Sequence, residues 1–120
     1  MEKIIMKFYV NDNGNVILSK NELQLDGYKE LIAGSTDAAQ EKHVPVYEKK
    51  CGRVRVSVGS VIHPATEAHY IEFAVLETKD GYQVKYFNPT DTPEVAFALK
   101  AGDEIVAVYA YCNLHGLWKA

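Results

Sequence analysis

Along most of this chain apolar and polar residues alternate with a period of two, the pattern of strands with one covered face. RVRVSV at 53–58 is the plainest example, and residues 44–47 share it. Residues 3–10 form an apolar, β-leaning run that stops at Asn11-Asp12-Asn13-Gly14-Asn15, a dense turn signal. Residues 16–18 and 28–32 predict two further short strands, making a small N-terminal β unit. Ser35-Thr36-Asp37 is a helix-start signal, and 38–42 predicts one or two helical turns. Strands are expected over 69–78 and 82–87, joined through Lys79-Asp80-Gly81, with Asp-Gly suited to a primed turn. Residues 94–100 and 104–111, on either side of Ala101-Gly102-Asp103, complete the set. Strands of this length and spacing predict an all-β chain: an immunoglobulin-like antiparallel β-sandwich behind the small N-terminal unit.

Composition narrows the function without naming it. The 120 residues are 48% hydrophobic, enough to bury a core. A net charge of −3 and a pI near 5.8 leave no nucleic-acid footprint and no attraction to membrane surfaces. Apolar runs are short and broken by charge, so no bilayer span is expected. The opening MEKIIMKFYV has no cleavage-site pattern, so a cytoplasmic location is expected. In that compartment Cys51 and Cys112 are expected to stay free of each other.

The chemistry concentrates in the histidines. The chain has four, His43, His63, His69 and His115, each beside Pro, Glu, Tyr or Gly at an element end or in a loop. Loops at one end of a sandwich converge, so these four and Cys112 are candidate metal ligands. Taken singly, each histidine also reads as a surface polar residue. Five donors are one too many for a closed structural zinc site. A blue-copper site takes two histidines, a cysteine and usually a nearby methionine, whereas Met1 and Met6 lie far off. Four imidazoles and a thiolate suit iron with a sixth position left open.

EKHVP (41–45), GSVIHPATEAHYIEF (59–73) and YCNLHGLWK (111–119) resemble, in order and in register, the iron-site motifs of superoxide reductases, the desulfoferrodoxin/neelaredoxin family. STDAAQ (35–40) and the AGDEI turn fit as well, and the resemblance runs from about residue 31 to the C-terminus. It implies that His43, His63, His69 and His115 are equatorial ligands of one mononuclear non-haem iron and that Cys112 is its axial thiolate. It further implies that Lys42 stands beside the open face and that Glu41 closes that face in the ferric state. The implied activity is one-electron reduction of superoxide to hydrogen peroxide, an oxidative-stress detoxification that makes the protein an oxidoreductase. Rubredoxin or a similar small protein would donate the electron, and a homo-oligomer, dimer or tetramer, is expected.

Two-iron members of that family carry four cysteines in a small N-terminal domain. Here VNDNGN (10–15) has Val10 and Asn13, and LDG (25–27) has Leu25 and Asp26, where cysteines would stand. Residues 1–34 thus resemble a desulforedoxin-like β unit stripped of its metal ligands, ahead of an immunoglobulin-like catalytic domain at 35–120. The missing sulfur excludes a second, four-cysteine iron. Leu114 and His115 backbone N–H groups are expected to donate to the Cys112 sulfur, and Trp118 is expected to pack rather than to shield the site. Cys51 and the Arg53–Arg55 pair are assigned no functional role. Two rival readings use the same residues: an electron-transfer protein without an open site, and a zinc-binding sandwich without catalysis.

Overall fold

The computed structural model describes residues 6–35, 38–61 and 63–120. Among the described residues, ten strands and one helical turn follow in order: β1 (Lys7–Asn11), β2 (Val16–Ser19), β3 (Tyr28–Leu31), α1 (Gln40–His43), β4 (Pro45–Lys50), β5 (Arg53–Val58), β6 (Ile71–Thr78), β7 (Gly81–Tyr86), β8 (Glu94–Ala98), β9 (Ile105–Cys112) and β10 (Gly116–Lys119). They form three antiparallel sheets, β2-β1-β3, β10-β9-β6-β7 and β4-β5-β8. The last two are the four-plus-three layers of the expected immunoglobulin-like sandwich.

The four-stranded sheet is covered on both faces. On one side Val108, Ala110 and Cys112 of β9 meet Val54, Val56 and Val58 of β5. On the other, Ala107, Tyr109 and Tyr111 of the same strand pack with Phe8 of β1 and Leu117 of β10. The Phe8 ring lies 4.8 Å from that of Tyr109 and 6.3 Å from that of Phe73. Two-sided burial explains why β6 and β9 are apolar almost throughout, whereas β5 keeps arginines on its outer face. A bulge between Ile71 and Phe73 of β6 shifts the pleat, so Ile71 faces the sandwich core and Phe73 the N-terminal sheet despite their even spacing.

Several boundaries differ from the sequence expectation. The β6–β7 loop is Lys79-Asp80, because Gly81 already pairs with Thr78; Asp-Gly is therefore not the central turn pair. β10 was not anticipated: its four residues are too few for a period, and pairing with β9 creates it. The helix-start signal at Ser35-Thr36-Asp37 lies largely outside the described residues, as do residues 3–5 of the first expected strand. Among the described residues, no helix is long and apolar enough to cross a membrane.

Strand register sets the site. Pro45 pairs with Val58 and Ile71 with Cys112, so both sandwich sheets end together. α1, the connection from β5 to β6, and the 113–115 turn between β9 and β10 all gather there.

Candidate metal centre

Each histidine arrives on a different piece of backbone. His43 is the last residue of α1 and is buried, its Nδ1–H donating to the Ala39 carbonyl at 2.7 Å. His63 is also buried, and its Nδ1–H donates to the Pro64 carbonyl at 2.8 Å. His69 closes a tight bridge with Thr66, its N–H bonding the Thr66 carbonyl at 3.1 Å and its own carbonyl accepting at 3.0 Å. Cys112 ends β9 with no exposed surface, and His115 follows in the turn before β10.

The four rings form a pinwheel. Neighbours meet edge to face: His43–His63 at 4.6 Å and 73°, His63–His69 at 4.6 Å and 82°, His69–His115 at 5.0 Å and 79°, and His115–His43 at 4.9 Å and 89°. His43 and His69 stand opposite each other, 6.3 Å apart. Donor atoms of His43, His69, Cys112 and His115 all lie within 4.8 Å of one another. His63 falls outside that tightest group yet joins through its Nε2, 3.1 Å from His43 Nε2. His43 Nε2 is also 3.1 Å from His115 Nδ1, and Cys112 Sγ lies 3.9 Å from the same nitrogen.

These contacts fit a bound cation. Carbonyl oxygens only accept, so the Nδ1 atoms of His43 and His63 carry hydrogen, and in neutral rings both Nε2 atoms then present lone pairs. Two lone pairs facing each other at 3.1 Å repel unless a positive centre lies between them. Ligands at right angles, each about 2.1 Å from one metal ion, stand about 3.0 Å apart, which matches. His69 Nε2 is buried and has no hydrogen-bond partner among the described residues, as an atom reserved for a metal would be.

Electrostatics keeps the donors in ligand form. Burial lowers the pKa of His43 and His69 and pulls His63 down to about 4, so the rings are neutral near pH 7. Lys42 adds to the lowering at His43 and His69, which puts its charge within reach of both rings. Burial raises the Cys112 thiol, while the Leu114 and His115 backbone N–H groups pull the other way. That pair of donors was expected from sequence. A thiol this deep ionises readily only beside a cation.

One supporting residue was not foreseen, and a second does more than expected. Asn113 accepts from the Tyr70 N–H at 3.0 Å through Oδ1 and donates through Nδ2 to the Ala68 carbonyl at 3.1 Å. It thereby ties the His69 loop to the Cys112–His115 turn; an asparagine between two candidate ligands was the available signal. Trp118 is buried, as expected, but it also stacks on the His43 ring at 5.0 Å and 27°, and its Nε1–H donates to the His115 carbonyl at 3.1 Å. Glu41 and Lys42 lie exposed on α1 beside His43. Cys51 is exposed at the far tip of the β4–β5 hairpin, and both cysteines are free.

Residues 35–120 match the desulfoferrodoxin family model. The chain belongs to the desulfoferrodoxin family. It is 49% identical over 92 residues to the desulfoferrodoxin of Nitratidesulfovibrio vulgaris, covering 77% of this chain and 71% of that protein. Over 102 residues it is 37% identical to the superoxide reductase of Thermococcus kodakarensis, with 71% and 89% covered. The crystal structure of the superoxide reductase from Treponema pallidum superposes with a TM-score of 0.79 at 35% identity, covering 94% of this chain and 98% of that one. The last match extends the likeness beyond the catalytic sandwich into β1–β3.

Proposed function

We propose that this protein is a superoxide reductase, converting superoxide, one electron and two protons to hydrogen peroxide at a mononuclear iron. The observation that carries the proposal is the convergence of four histidine rings and the buried Cys112 thiol at one end of a desulfoferrodoxin-family chain. Bound there, iron supplies the electron and is restored by an external one-electron donor, rubredoxin or a protein like it.

His43, His63, His69 and His115 would hold the metal through ring nitrogens. Cys112, as thiolate, would lend that metal electron density and so favour electron transfer to the substrate. One negative ligand against a divalent ion leaves a local charge near +1, which attracts an anion. Lys42 strengthens that attraction and would hold a water that passes a proton to the reduced substrate. Glu41, exposed beside Lys42, brings a carboxylate that would be able to bind the metal once the substrate has left. Residues 1–34 act as a metal-free β unit whose Phe8 locks onto the catalytic sandwich, so the electron reaches residues 35–120 directly.

Iron-loaded protein should hold one iron per chain and show a visible thiolate-to-iron band that Cys112→Ser abolishes. It should consume superoxide without evolving dioxygen. Stoichiometric zinc with no band, or dioxygen released at half the superoxide consumed, would overturn the reading. Lys42→Ala should keep the band, slow superoxide capture by about tenfold and flatten its dependence on salt.

A further inference from the structure

Gly59 sits where no other residue fits. A Cβ there would lie 2.5 Å from the Glu41 carbonyl oxygen, 2.9 Å from that of Val44 and 3.0 Å from the Lys42 carbonyl carbon. All three are backbone atoms, so nothing can swing aside as the end of a side chain would. Gly59 is not among the glycines with positive φ, so it is the close approach of these backbone atoms that excludes a side chain. The same turn grips what Gly59 admits. The Val61 N–H donates to the Glu41 carbonyl at 2.9 Å, and the Ser60 hydroxyl donates to it at 3.3 Å. Behind the turn, Val58 is paired with Pro45, and its N–H donates to the Pro93 carbonyl at 3.0 Å. The turn is thus anchored to the sandwich and holds the backbone of Glu41 and Lys42 from outside.

α1 needs such a hold. It is four residues long and has no side-chain cap, so local helix bonding does little to fix it. Yet it carries Glu41 and Lys42, while His43 at its end is pinned by the Ala39 carbonyl and the stacked Trp118.

We propose that the 59–61 turn is a latch that positions Glu41 and Lys42 over the open face, with Gly59 as a positioning residue for superoxide capture. Gly59 touches neither metal ligand side chains nor substrate; it acts by setting the backbone path of the two residues that do the steering. The inference rests on the superoxide reductase reading of Lys42.

The test is a double-mutant cycle on the iron-loaded protein, read by pulse-radiolysis rates of superoxide capture at several salt concentrations. Gly59→Ala should retain one iron per chain and the thiolate-to-iron band, slow capture by about five- to tenfold, and flatten the salt dependence. Adding Lys42→Ala to Gly59→Ala should slow capture little further, because one change displaces the charge that the other removes. Ser60→Ala adds no atoms and removes one grip; it should show about a twofold loss in the same direction, and it carries the test if Gly59→Ala does not fold. Fully additive effects, an unchanged salt dependence in both turn variants, or loss of iron from folded Gly59→Ala would overturn the latch. If Lys42→Ala alone leaves rate and salt dependence unchanged, the reading of Lys42 fails instead, whatever the turn variants do.

Discussion

Removing the metal should destabilise the whole fold, by an amount set by the nitrogens it leaves facing nothing. His43 and His63 direct lone pairs at each other across 3.1 Å, and His69 Nε2 is a buried atom without a partner. A buried polar atom left unsatisfied costs about 1–3 kcal/mol. Three of them, taken near the lower end of that range, amount to about 4 kcal/mol. Unfolding entropy of about 2.1 cal/mol/K per residue over 120 residues is about 0.25 kcal/mol/K, so melting should fall by about 16 °C. The assay is calorimetry at pH 7 on iron-loaded protein without excess free iron and on chelator-stripped protein, because free metal itself shifts the midpoint. Zinc accepts the same lone pairs but has no redox chemistry. It should restore most of the lost stability and none of the superoxide reduction. A stripped protein melting within about 3 °C of the iron form would refute the lone-pair reasoning, since the nitrogens would then have found other partners.

Two further outcomes test the frame around the site. Phe8→Ala removes a ring that is 1% exposed and lies against Phe73 and Tyr109, so it should cost about 3–4 kcal/mol in urea unfolding and leave the iron band in place. A loss below about 1 kcal/mol would mean that the N-terminal sheet contributes little to the fold. Glu77 is buried, with Oε1 accepting from the Tyr109 hydroxyl at 3.2 Å and Oε2 unpartnered among the described residues. Burial raises its pKa above 4.5, so the folded state keeps this proton to higher pH than the unfolded chain does. Stability linked to Glu77 is therefore full below about pH 4.5 and is lost as pH rises through the folded value. Glu77→Gln should raise stability at pH 7 by on the order of 1 kcal/mol, a gain that shrinks toward pH 4; an equal gain at both pH values would remove the charge explanation.

Sequence alone determined the candidate donor residues and the architecture that carries them. Ligand identity is a matter of residue type and order. Those survive in EKHVP, HPATEAH and YCNLH whatever the surrounding coordinates, and RVRVSV announces a half-covered strand by its period. Other features depend on partners distant along the chain, and only tertiary structure decided them. Phe73 could not be assigned a face from its spacing to Ile71, because a bulge at the junction with β9 shifts the pleat between them. GLWK becomes a strand only through pairing with β9. The tautomers of His43 and His63 follow from the Ala39 and Pro64 carbonyls beneath them, and the second Trp118 contact follows from the His43 ring that it covers. Gly59 is the sharpest case. As a letter in GSVIHP it is one glycine among eight; within the fold it is the place where the Glu41–Lys42 backbone passes too close for a methyl group.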